Sequence, residues 1–70
     1  MKKYYLNKVV QANGDHEVHS ENCQYLPSPQ NQIFLGLFYS CETAVTEAKR
    51  RYPSAKINGC YYCSPKCHTR

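Results

Sequence analysis

A small α+β fold is predicted for this chain, with a three-stranded antiparallel sheet, one main helix and a C-terminal cysteine knuckle. Three observations predict it. Three strand-like segments come first, an amphipathic segment follows, and a Cys-x2-Cys pair closes a chain of 70 residues. That length allows a single domain, residues 1–70. Leu, Ile, Val and Phe number only twelve, about 17% of the chain, below the ~20% at which disorder becomes an option. A net charge of +4 is too modest to argue for disorder. A domain this small needs a staple, and five cysteines and three histidines are the material for one.

Taken in order, residues 3–10 are rich in Tyr, Leu and Val and read as a strand. Asn13-Gly14 signals a hairpin, because both central positions of a type I′ turn need positive φ. Residues 16–20 return as the second strand. Its period of two sets His16, Val18 and Ser20 on one face, Glu17 and His19 on the other. Residues 22–32 hold Pro27, Pro29 and three glutamines, and read as a surface loop. The most apolar stretch, Ile33 to Phe38, is expected as a central strand, with Gly36 marking a bulge. Ser40 is the expected N-cap of the helix. Cys41, Val45, Ala48 and Tyr52 form its apolar stripe, and Pro53 ends it. Ser64-Pro65 predicts a short turn over 65–68. Tyr4 or Tyr5, Tyr25, Tyr39 and Tyr52 are expected as half-buried cover for a thin core.

The chemistry lies in two pairs of ligand-type residues. Cys60-Tyr61-Tyr62-Cys63 lets the chain turn so that both thiolates converge on one ion. His19 and Cys23 form a second pair, spaced across a strand end and the turn after it. Three thiolates and one imidazole make the tetrahedral shell of a structural Zn²⁺ site, and such a site contributes an apparent ~10–16 kcal/mol to folding. The 36 residues between Cys23 and Cys60 exclude a classical finger, whose pairs stand ~12–15 apart. The ion is therefore expected to close the domain end to end. A thioredoxin-type redox pair needs a longer α/β domain, and an odd number of cysteines argues against a disulfide framework.

The residues just quoted resemble a family. Val18-His19 followed by Cys23, an apolar strand leading into Ser40 and a helix with Ala44 and Ala48, then Gly59-Cys60-x-x-Cys63, resemble the zinc-binding domain of the Ada DNA-repair protein. The likeness is greater to small relatives with histidine in the first ligand position. It spans roughly residues 16–67 and implies zinc held by His19, Cys23, Cys60 and Cys63. In the Ada domain the first ligand is a cysteine that accepts a methyl group from a DNA phosphotriester. His19 stands there in this chain, and a zinc-bound imidazole has no free lone pair to offer, so that transfer is not expected of it.

Charge divides along the chain: residues 9–48 hold all five acids and no Lys or Arg. Lys2, Lys3, Lys49, Arg50, Arg51 and Lys66 are the candidate nucleic-acid contacts should the two termini share a face, with DNA or a protein as partner. The alternative is a solvated charge pattern favouring the negative end of a helix. No apolar run approaches ~20 residues and no signal segment opens the chain, so a cytoplasmic location without membrane contact is expected. Thiols would then stay reduced. Cys41 falls on the apolar stripe of the helix and is expected as a buried, unreactive thiol; a Cys41–Cys67 disulfide needs a more oxidising compartment. Cys67 and His68 are possible replacements within the metal shell, and His16 is expected to be exposed. The leading function is a non-catalytic zinc module with no small-molecule substrate. Its alternatives are a zinc-activated Cys60 or Cys63 acting as methyl acceptor or redox sensor, and metal storage or delivery. A catalytic zinc keeps one position open, and four protein ligands leave none, so no enzyme is expected.

Overall fold

The computed structural model describes residues 1–69; Arg70, one of the terminal cations, lies outside the described residues. Tyr4 and Leu6 alternate inward along β1 (Lys2–Asn7), which runs in the interior of the sheet. On one side β1 pairs antiparallel with β2 (Asp15–Ser20), and on the other with β3 (Gln32–Phe38). The helix α1 (Cys41–Arg51) follows β3, and a short β4 (Lys56–Gly59) then pairs parallel with β2. The sheet is thus four-stranded and mixed, in the order β3-β1-β2-β4.

Three expectations about the sheet need correction. The sheet is not three antiparallel strands, because residues 56–59 add a parallel fourth. With a single apolar side chain, Ile57, that segment carries no strand pattern of its own. The apolar 33–38 stretch is an edge strand and not a central one. Phe34 and Leu37 stay half exposed, Phe34 lies 5.5 Å from the Tyr5 ring, and the Arg51 guanidinium donates to the Phe34 and Leu35 carbonyls at 2.9 and 3.1 Å. Leu35 carries the inward burial, beside a register shift opposite Tyr4 and Tyr5, where Gly36 takes a φ of 132°. The bulge is where the sequence places it. The turn before β2 is not type I′, since Asn13 has no positive φ. The Asn13 side chain accepts from the Asp15 N–H at 3.0 Å, and the turn closes earlier, from the Gly14 N–H to the Gln11 carbonyl.

The helix begins and ends as its sequence dictates. Ser40 is extended at the N-cap, although its hydroxyl makes no capping bond. Glu42 lies in the first turn and Lys49, Arg50 and Arg51 in the last, each sign suited to the helix dipole. The Tyr52 N–H closes on the Ala48 carbonyl before Pro53. Ala44 and Ala48 are fully buried, so α1 lies close against the sheet, over Tyr4, Leu6, Val18 and Leu35. Of the tyrosines expected as cover, Tyr4 is buried and Tyr5 half-buried. Tyr25, Tyr52 and, at 88%, Tyr39 are exposed.

Cys41 is buried as expected, yet it is not a free thiol: it is joined to Cys67 in the short 3-10 turn Pro65–Cys67. The apolar stripe accounts for its burial, whereas the compartment was the ground against a pairing with Cys67. The fold brings the start of α1 against the turn after β4 and so makes the partners neighbours. Among the described residues, no helix is long and apolar enough to cross a membrane.

Candidate metal centre

The parallel pairing of β4 with β2 builds the centre. Val18 lies opposite Gly59, and the Cys60 N–H continues the ladder to the Val18 carbonyl at 3.0 Å. His19 and Cys60 consequently emerge side by side at the same end of two neighbouring strands. Each strand then turns: the Cys23 N–H bonds the Ser20 carbonyl at 3.1 Å, and the Ser64 N–H bonds the Cys60 carbonyl at 2.8 Å. These two turns bring Cys23 and Cys63 back over the strand ends. The ligand atoms of His19, Cys23, Cys60 and Cys63 lie within 4.8 Å of one another, so the four residues can hold one metal ion.

The spacing suits a tetrahedral ion. Zn–S bonds of about 2.3 Å in a regular tetrahedron place the sulfurs about 3.8 Å apart. The Cys23 and Cys60 sulfurs are 3.8 Å apart, and Cys63 Sγ lies 3.9 Å from His19 Nδ1. Nδ1 of His19 therefore faces the thiols, while Nε2 faces Glu17 Oε1 at 3.5 Å. Nε2 is buried and has no hydrogen-bond partner among the described residues, which leaves Glu17 as its nearest anchor. A carboxylate behind a ligating imidazole fixes the ring's tautomer and strengthens it as a donor.

Backbone N–H groups already point at the sulfurs, Ser20 to Cys63 and Tyr25 to Cys23, both at 3.4 Å. Burial pushes the Cys23 thiol up to about 12, against the Tyr25 N–H, and its neighbouring thiols push the same way. Burial likewise raises Cys60 despite the Cys63 and Tyr62 N–H groups. Cys63 is also pushed up by burial, yet the His19 ring, the Ser20 N–H, Cys23 and the Ser64 hydroxyl together bring it down to about 6. One thiolate is thus favoured before any ion arrives, and a bound cation deprotonates the others outright.

The remaining candidates lie elsewhere. His16 is half-buried and not exposed, its Nδ1 held by the Asn7 carbonyl at 3.0 Å. Cys67 is in the disulfide, and His68 Nδ1 bonds the Gly59 carbonyl at 3.0 Å, so neither joins the cluster. Gly59 is the contact point between centre and tail: a Cβ there would lie 2.5 Å from Cys67 Cβ and 2.9 Å from its carbonyl carbon. Sequence reading did not single out Glu17, although its period-two partnership with His19 was the available signal.

The six candidate nucleic-acid contacts are not gathered together. Lys2 and Lys3 pair with Phe38 and Leu37, near the start of α1, and Lys66 shares a surface depression there with Ser40 and Glu42. Lys49, Arg50 and Arg51 stand at the helix's other end, about 15 Å away at 1.5 Å per residue. Glu47 accepts from Arg50 at 2.8 Å and from Arg51 at 2.6 Å, so two of the six are opposed by an acid. Comparison with protein families, curated proteins and solved structures finds no match to this chain.

Proposed function

We propose that this chain is a small structural zinc module, held closed by one Zn²⁺ on His19, Cys23, Cys60 and Cys63. The observation that carries it is the convergence of four soft donors, from segments some forty residues apart, within 4.8 Å. Thiolates and imidazole in a tetrahedral arrangement suit zinc over the oxygen-seeking cations. Four protein donors fill the shell and leave no place for a reacting water, so the metal's contribution is to folding and not to catalysis. The Ada-like spacing of the ligand positions supports the same reading, with His19 in place of a methyl-accepting thiolate. In a cytoplasmic setting the Cys41–Cys67 bond would be reduced, and the metal would then hold the domain alone.

Metal analysis combined with thermal melting tests this. Purified protein should contain one zinc per chain. Cobalt substitution should give the absorption of a tetrahedral thiolate site. Chelation should abolish the cooperative melt, in keeping with an apparent ~10–16 kcal/mol of metal-linked folding energy. A metal-free chain that melts as before overturns the proposal.

A further inference from the structure

Three tyrosines stand in solvent around the metal centre. Tyr25, Tyr61 and Tyr62 are 50%, 61% and 64% exposed, an unusual expenditure of aromatic surface for a chain short of apolar core. They are arranged and not scattered. The Tyr25 and Tyr62 rings lie 4.4 Å apart at 31°, and Tyr61 stands at 86° to Tyr62 with centroids 5.2 Å apart. The Tyr61 ring also rests edge-on against His68 at 5.4 Å. Together with Glu17, the three rings line a cavity of about 250 Å³, on whose wall lie His19 and Cys60.

The charge of this cavity runs against that of the molecule. The chain carries +4, yet among the described residues no Lys or Arg lines the cavity, and Glu17 is the one charged side chain there. Three thiolates and a neutral imidazole around a divalent ion add a further −1. Aromatic faces carry negative quadrupole potential, worth about 0.5–2 kcal/mol per ring to a cation lying over them. Tyr25 covers one side of Tyr62, which leaves the other side of Tyr62 and the perpendicular Tyr61 ring to meet an occupant.

We propose that this cavity binds an alkylated ammonium group, either the quaternary nitrogen of a small molecule or a methylated lysine side chain. Methylation spreads the charge and weakens hydration, so such a group gives up water readily and fills an aromatic corner. A bare ammonium keeps its water. An anionic nucleotide is opposed by Glu17 and by the net charge of the loaded centre, and Tyr25 already occupies one side of Tyr62. The inference rests on the metal reading for part of its negative charge, whereas the rings and Glu17 stand without it.

The test is a two-dimensional NMR titration of the metal-loaded chain with tetramethylammonium chloride, against ammonium chloride at equal ionic strength. Saturable shifts at residues 17, 25 and 60–62 are expected with the first salt alone. Tyr62→Ala should weaken binding about fivefold, the equivalent of one ring. Tyr61→Leu provides a second loss at the ring that rests against His68. Choline and a trimethyllysine peptide, each beside its unmethylated counterpart, then separate the two sources by which binds more tightly. Equal shifts from both salts, shifts spread over the surface, or tighter binding of an oligonucleotide on the same residues overturn the proposal. Metal content measured on the same sample reports on the zinc reading separately.

Discussion

Beneath α1 the buried side chains are Tyr4, Leu6, Val18, Leu35, Ala44 and Ala48, whereas at the far end of β2 they are His19, Ser20, Cys60 and Ser64. The first set is apolar and small, two of its six members being alanine. It excludes water, but each large member contributes only about 1.5–3 kcal/mol on burial. The second set is polar and would cost free energy to bury without partners. A metal held by His19 and Cys60 would supply a partner and offset that cost. The difference teaches how a chain of few apolar residues can fold: one region packs, the other is arranged to coordinate an ion, and the Cys41–Cys67 bond ties the first to the tail of the second.

Cutting that tie is the largest test. Replacing both Cys41 and Cys67 by serine should lower stability by about 3.5 kcal/mol, the chain-entropy value for a loop of 26 residues. Thermal melting at fixed zinc measures it, and metal content should stay at one per chain. Loss of the metal in that variant would show the two regions to be a single unit.

A smaller effect separates them from the other side. Glu17→Gln removes the carboxylate behind His19 Nε2 and should weaken zinc binding about 10–100-fold. Competition with a chromophoric chelator reads this directly. The packing under α1 contains none of the atoms changed, so the zinc-saturated melt should move little.

The smallest test concerns acid. Glu47 is held well below its ordinary 4.5, at about 2, by hydrogen bonds from Arg50 and then Arg51. A carboxyl lowered on folding stabilises above its ordinary value, and that contribution is lost as pH falls from about 4.5 towards 2. The melting difference between the chain and Glu47→Gln should therefore be flat from pH 7 to about 5.5. Acid weakening in that window then lies outside the Glu47 cluster, where the proposed site would release its ion as protons compete for the ligands. A difference that shrinks above pH 5.5 would assign the window to the helix instead.

How much of this was legible in the sequence follows the same division. The four metal-site residues and the choice of His19 over His16 were readable, because ligand chemistry depends on residue type and short spacing. The helix was readable from its stripe, Glu42 and Pro53. β4 was not, because a parallel strand buried by its neighbours needs no alternation, and Asn58 in it is held by Asp15 and Thr69 instead of by apolar contact. The position of Ile33–Phe38 at an edge was hidden too, since Phe34 earns its place through Tyr5 on the outer face. The disulfide was missed because the presumed compartment outweighed a pairing that only the folded topology reveals.

The pairing of Asp15 with Lys56 joins segments some forty residues apart, and contacts of that span form slowly, since a long loop must close before anything is gained. During synthesis the hairpin of β1 and β2 emerges first and must wait, with His19 and Cys23 presented to solvent. In the proposed zinc module, capture of the ion would complete the domain only once residue 63 has left the ribosome.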